Sequence, residues 1–191
     1  VGLGPDGPPS LAALDATIAA RTGFRLEPVE GLVTPREFLV RLADGRFPCT
    51  QFLRHASRPD YTPEPDLVHE AVGHMAALFD PELAELNRIF GQAAAGARGA
   101  EAAERIVRVY WYTLEFGAVV EDGEVRALGA GILSSPGELE SFRRADHAPW
   151  DPDEMAATDY DPTSLQPRIF VANSWKEAMA STRAWLSVMT P

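Results

Sequence analysis

Cysteine is nearly missing from this sequence: Cys49 is the only one in 191 residues. It can close no internal disulfide, so a reducing compartment and a cytoplasmic location are expected. A lone thiol of this kind reads as a small buried side chain rather than a nucleophile. Long apolar runs are missing too. No stretch of about 18 apolar residues offers itself as a membrane-crossing helix, and no basic segment followed by an apolar one marks a secretory signal. Positive charge is scarce: 17 Lys and Arg stand against 28 Asp and Glu, a net charge of −11. Nucleic acid is thereby disfavoured as a partner, because phosphate binding needs clustered Lys and Arg. There is no internal repeat and no low-complexity tract. The first residue is Val1 rather than Met, so the natural start is not legible.

What is present is ordinary globular composition, 46% hydrophobic and 24% charged, enough to bury a real core. Residues 1–9, rich in Gly and Pro, read as a flexible lead-in, and 10–191 as one domain. Ser10 caps a short helix carrying Leu11, Leu14 and Ile18 and ending near Gly23; Phe24 to Leu32 reads as extended. Thr34-Pro35-Arg36-Glu37 is a strong helix start, with a hydroxyl cap, Pro at the first position and Glu three residues on. That helix is expected to bury Phe38, Leu39 and Leu42 and to stop near Gly45. Residues 58–66, with Pro59, Pro63 and Pro65, form a stiff approach to a helix from Pro65 to about Leu78. Asp80-Pro81 starts another helix, with Leu83, Leu86 and Ile89 on one face. A third begins after Gly99 and carries Ile106, Val109, Tyr110 and Leu114, with Glu115 near its end. Asp122-Gly123 predicts a hairpin. Gly129-Ala130-Gly131 then bends the chain toward a helix start at Ser134-Ser135-Pro136. Residues 143–163 read as Asp/Pro-rich loop, Arg168 to Ala172 as a strand, and Ser174 as the cap of a last helix to about Val188. The fold class is mainly α with a few short β-strands.

The chemistry concentrates in His69-Glu70-Ala71-Val72-Gly73-His74, taken with Glu115. Two imidazoles and one carboxylate can hold one face of an octahedral Fe(II) and leave the opposite face open. The two histidines are five apart, roughly 140° round an ideal α-helix, so the four-residue spacing of the zinc proteases is not met. Gly73 would allow a local distortion that brings the second imidazole round. On the residues alone the other reading stays open, in which His69 begins a helix and His74 is a hydrogen-bonded core histidine.

Tyr61-Thr62-Pro63-Glu64-Pro65-Asp66 followed by His69-Glu70 and Gly73-His74 resembles the iron motif of the tetrahydropterin-dependent aromatic amino acid hydroxylases. Tyr110 to Gly117 is similar to the family helix that provides the third ligand. Gly129 to Ser135 resembles the loop that follows it. Gly23-Phe24-Arg25-Leu26 and Phe47-Pro48-Cys49-Thr50-Gln51 match in the same order, and Phe47-Pro48 resembles the bacterial phenylalanine enzymes. The likeness runs from about Thr22 to Val188.

The resemblance implies a catalytic domain of that family with His69, His74 and Glu115 as iron ligands, and Fe(II) and a tetrahydropterin as cofactors. It implies a monooxygenase that hydroxylates the ring of an aromatic amino acid with O2, L-phenylalanine first. Phe38 takes the place of the ring that stacks on the pterin, with Gly31, Leu32 and Val33 supplying backbone nearby. Glu70 matches a pterin-side carboxylate, and Tyr110 a residue beside iron and pterin. Glu70, Tyr110 and Ser134 are thus the expected catalytic side chains. Arg54, braced by Asp66, matches the grip on the substrate carboxylate. Thr62, Ser134 and Ser135 match hydrogen-bonding places at the substrate, while Pro65, Trp111, Phe116 and Gly131 match the walls around its ring. A monomer or small oligomer is expected.

Several positions depart from the family pattern. Pro162, in the loop that discriminates substrates, replaces an apolar residue or Asp. Thr34-Pro35 replaces a small hydroxyl pair, and Leu128 stands where an aromatic is common. Against the family pattern, the first helical region with its mobile loop, a regulatory domain and the tetramerisation helix are not expected within these residues. Two further readings are therefore carried: an iron oxygenase on the same scaffold with another aromatic substrate or reductant, and a non-catalytic ligand-binding module.

Overall fold

The computed structural model describes residues 10–57, 59–60, 62 and 64–189. The expected lead-in, Tyr61 and Pro63 of the resemblance motif, and the last two residues lie outside that set. Capping chemistry sets the first helices. Ser10 accepts a bond from Ala13 N–H and starts α1 (Leu11–Thr22), and Gly23 ends it in a left-handed conformation at φ 76°. Strand β1 (Arg25–Pro28) follows. The full capping box at Thr34 and Glu37 starts α2 (Pro35–Leu42). Leu39 and Leu42 are buried and Phe38 is partly exposed, because Phe38 faces a cavity. Strand β2 (Arg46–Cys49) then pairs in parallel with β1.

The histidine-bearing helix, α3, is composite. An α-helical start, Leu67–His69, leads into a π-helical turn, Glu70–Met75, and an α-helical end, Ala76–Leu78. Asp80 caps α4 (Pro81–Gly96), which packs on α2 and on the last helix, Trp175–Met189. Helix α5 (Ala100–Tyr110) buries Ile106, Val109 and Tyr110 and also runs into a π-helical turn, Trp111–Glu115. The two wide turns thus carry His74 and Glu115, and His69 stands immediately before the first.

The expected hairpin forms between β3 (Ala118–Glu121) and β4 (Glu124–Ala127), with positive φ at Asp122 (51°) and Gly123 (78°), the pattern of a type I′ turn. Short helices α6 (Ala130–Leu133) and α7 (Pro136–Ser141) follow, the second capped by Ser135. The loop expected over 143–163 is corrected here. It contains β5 (Asp146–Pro149) and α8 (Pro152–Ala157), the latter started by an Asp151 cap and Pro152. Strand β6 (Arg168–Ala172) pairs in parallel with both β3 and β5, giving sheet order β4-β3-β6-β5. Helix α9 (Trp175–Met189) closes the described chain, with Glu177 N–H bonded to Ser174 Oγ at 3.2 Å. Among the described residues no helix is long and apolar enough to cross a membrane.

The core includes the wholly buried Phe24, Phe47, Phe90 and Phe170. Phe47 does double duty: its burial is worth about 1.5–3 kcal/mol, and its ring packs 5.0 Å from His74 and 5.3 Å from Phe38. The hydrophobic core therefore reaches directly to the histidine cluster. Cys49 is buried among the same residues, and burial, aided by the Glu70 carboxylate, pushes its thiol up to about 12.

Candidate metal centre and its two cavities

The π-helical turn answers the spacing problem. Bonding from i to i+5 brings residues five apart onto one face, so His69 and His74 converge where an ideal α-helix would splay them. Their Nε2 atoms lie 3.0 Å apart. Glu115 reaches them from the second π turn, with Oε1 2.9 Å from His74 Nε2 and Oε2 3.6 Å from His69 Nε2. Donors bonded to one metal at about 2.1 Å are held roughly 3 Å apart when adjacent, so the spacing fits one ion. Gly73 lets α6 pack directly on the turn: a Cβ there would fall 2.6 Å from Ala130 Cβ and 2.9 Å from Ala130 O.

A hydrogen bond fixes how the His69 imidazole presents itself. Ser134 Oγ donates to Ala130 O at 2.7 Å, so its lone pair is left to accept from His69 Nδ1–H at 2.8 Å. That bond assigns the Nδ1–H tautomer and turns the Nε2 lone pair toward the cluster. Burial lowers His69 to about 4, leaving it neutral as a ligand must be. For His74 burial works against the charge, but Glu115 outweighs it and the net shift is upward. Burial likewise raises Glu115, and His74 with His69 brings it below the ordinary range.

One cavity, of about 130 Å³, opens on His69 and Glu115 and is lined by Arg54, Thr62, Pro65, Trp111, Phe116, Gly131, Ser134, Ser135 and Pro162. These include every residue expected at the substrate. Trp111 and Phe116 face each other at 4.5 Å, and Phe116 fills the space a Cβ on Gly131 would need, 2.4 Å away. Ser135 hydrogen-bonds to Asp60 O, and Thr62 to Glu64 O at 2.9 Å. Arg54 is tied to the wholly buried Asp66 through Nε (3.0 Å) and Nη2 (2.6 Å), while Nη1 donates to Pro59 O and Ser134 O. Burial opposes charge on Asp66, but Arg54 and the His69 N–H outweigh it and hold the carboxyl low.

A second cavity, of about 290 Å³, opens on the same His69 and Glu115 and adds His74, Glu70, Phe38, Gly31, Leu32 and Val33, all expected at the cofactor except the ligand His74. Glu70 accepts from Thr50 N–H at 3.0 Å and Thr50 Oγ1 at 3.2 Å, and burial raises it to about 7. Tyr110, expected beside the iron and the pterin, does not line this cavity. Its ring lies edge-on to Phe38 at 5.6 Å, and its hydroxyl donates to Asn87 Oδ1 at 3.1 Å rather than to a ligand group. It lines a third, apolar cavity of about 230 Å³ that touches Glu115. Thr50 and Gln166 were not singled out as site residues by the sequence; both hold groups that line the cavities.

Comparison with known proteins shows the family. The model of the biopterin-dependent aromatic amino acid hydroxylases matches residues 1–190. The chain belongs to that family. Phenylalanine-4-hydroxylase of Dictyostelium discoideum is 41% identical over 184 residues, 95% of this chain and 42% of that protein. Tyrosine 3-monooxygenase of Drosophila melanogaster is 40% identical over 184 residues, 95% of this chain and 32% of the relative. The chain thus spans about a third to two fifths of the length of these curated relatives. Phenylalanine hydroxylase of Chromobacterium violaceum, solved with iron(III) and 7,8-dihydrobiopterin, superposes with a TM-score of 0.85 at 31% identity, covering 97% of this chain and 69% of that one. The mainly helical fold with few short strands is therefore that of a phenylalanine hydroxylase catalytic domain.

Proposed function

We propose that this chain holds one Fe(II) on His69, His74 and Glu115, binds a tetrahydropterin in the second cavity, and hydroxylates the ring of an aromatic amino acid, L-phenylalanine first. The observation that carries the reading is the meeting of two cavities on one three-donor cluster: both open on His69 and Glu115. When bound, iron and reduced pterin supply the O2-dependent oxidising chemistry. The protein's share is placement and exclusion of water. Ser134 orients His69 through Nδ1–H. Thr50 orients Glu70 toward the second cavity. Phe38 offers an aromatic face to a planar ring, and Phe47 and Phe38 pack against His74.

The first cavity suits one aromatic ring, since an engineered cavity of about 150 Å³ takes up benzene. Trp111, Phe116, Pro65, Gly131 and Pro162 make the ring walls, and a phenol hydroxyl among them would give up its hydrogen bonds to water. This favours phenylalanine over tyrosine. The Arg54 fork is committed to Asp66, so a substrate carboxylate would meet the guanidinium charge and the remaining Nη2–H rather than the whole fork. A second reading, a bulkier aromatic amino acid on the same scaffold, is favoured by the third cavity, which shares Pro65, Trp111, Glu115 and Pro162 with the first.

The test is Fe(II) titration and phenylalanine turnover with tetrahydropterin for the wild type and Glu115→Gln. Loss of stoichiometric iron binding together with turnover is expected. Unchanged iron occupancy and hydroxylation in the variant would overturn the ligand assignment.

A further inference from the structure

Gln166 is a loop glutamine with 3% exposure, and it uses every polar atom of its side chain. Its Oε1 accepts from Trp111 Nε1–H at 3.0 Å. Its Nε2 donates to Asp161 O and Ser164 O, both at 3.0 Å. Its backbone N–H donates at 2.8 Å to Oε1 of Glu138, a carboxylate with no exposure. Glu138 is joined in turn to Ser135, whose Oγ accepts from Glu138 N–H at 3.2 Å.

These bonds form a circuit round the first cavity. Trp111 is one wall, Ser135 another, and Pro162 is carried by the loop whose two carbonyls Gln166 gathers. Trp111 is also sandwiched, by Tyr160 at 4.2 Å and 19° and by Phe116 at 4.5 Å and 37°. Stacking leaves an indole free to slide in its own plane, and the Nε1–H bond to Gln166 removes that freedom. Trp111 lines the third cavity as well as the first, so its position divides the space between them.

We infer that Gln166 is a positioning residue that fixes the Trp111 wall and the Pro162 loop together, and so sets the width of the ring cavity and which aromatic amino acid it accepts. The inference rests on the proposed function for its substrates. The acting groups are Trp111 and Pro162, which touch the cavity; Gln166 acts through them. A buried glutamine is needed because only an amide side chain offers an acceptor to the indole and two N–H groups to the loop at once.

The experiment compares wild type, Gln166→Ala and Gln166→Glu in Fe(II) titration, in kcat/KM for phenylalanine and tryptophan, and in Trp111 emission taken as the difference from Trp111→Phe versions. Gln166→Ala should lower the phenylalanine-to-tryptophan preference at least about tenfold, as a displacement of about 1 Å in a positioned site does. KM for phenylalanine should rise more than kcat falls, and iron affinity should stay within about twofold. Gln166→Glu keeps the acceptor for the indole but turns a second oxygen on the two loop carbonyls. It should therefore preserve Trp111 emission while losing the preference. Should Gln166→Ala not fold, Gln166→Glu, with its unchanged volume, carries the selectivity test. A folded Gln166→Ala with unchanged preference and emission would overturn the inference. If the wild type turns over neither amino acid, the functional reading fails by itself. Trp111 emission and calorimetric binding of phenylalanine to the Fe(II)-loaded protein then decide the role of Gln166.

Discussion

Replacing Ser134 by Ala tests how the protein prepares His69. The hydroxyl accepts from His69 Nδ1–H at 2.8 Å and donates to Ala130 O at 2.7 Å. Removing it orphans a buried imidazole N–H, a loss of about 1–3 kcal/mol. Because the same hydrogen bond aims the Nε2 lone pair, iron binding should weaken by about 10- to 100-fold. The metal-free fold carries the unpaired N–H and should lose up to about 1–3 kcal/mol, although Ser134 N–H keeps its own bond to Ala130 O at 3.1 Å. Chelator-competition titration of Fe(II) into Ser134→Ala, without substrate, gives the affinity, and calorimetric melting of the metal-free protein gives the stability. An affinity within about twofold of wild type would refute the argument that Ser134 sets the tautomer and aim of His69.

Three further outcomes follow from other contacts. Gly73→Ala places a methyl 2.6 Å from Ala130 Cβ, so the π turn and α6 must part; a loss of about 1–3 kcal/mol in urea unfolding should accompany weaker iron binding, and wild-type values in both would contradict the role given to the turn. Burial raises Glu138 above its ordinary range, against the pull of Gln166 N–H and Ser141. A carboxyl raised in the folded state contributes stability below its unfolded pKa and loses it as pH rises through the folded value. Glu138→Gln, which keeps an acceptor for Gln166, should therefore gain on wild type in melting temperature as pH rises from about 4.3, and a constant difference would count against it. Cys49, with its thiol pushed up to about 12 by burial, should take up iodoacetamide only after unfolding; rapid native labelling seen by mass would show the site to be open.

The parts of the fold legible in the sequence are those with local signals. Ser10, Thr34 and Asp80 announce their helices through caps, and Asp122-Gly123 its hairpin through the positive φ it tolerates. Strand β2 escaped because Pro48 interrupts its pattern, and β5 because Asp146, His147, Ala148 and Pro149 have little β preference and pair through β6. Helix α8 did carry a signal, the Asp151 cap and Pro152, masked by the surrounding Asp and Pro. In the candidate metal centre the sequence offered His69, His74 and Glu115 but not the geometry that brings them together. A five-residue spacing is meaningless on an α-helix, and only Gly73 hinted at the wider turn that makes it work. Gln166 had no local signal at all, since its partners Glu138 and Trp111 lie 28 and 55 residues away.

The most direct measurement is mass spectrometry of reactions containing the protein, Fe(II), a tetrahydropterin, 18O2 and single aromatic amino acids. The account predicts a phenylalanine product carrying one 18O atom, formed only when both iron and the pterin are present. Stoichiometric iron binding with no 18O incorporated into any aromatic amino acid would contradict it.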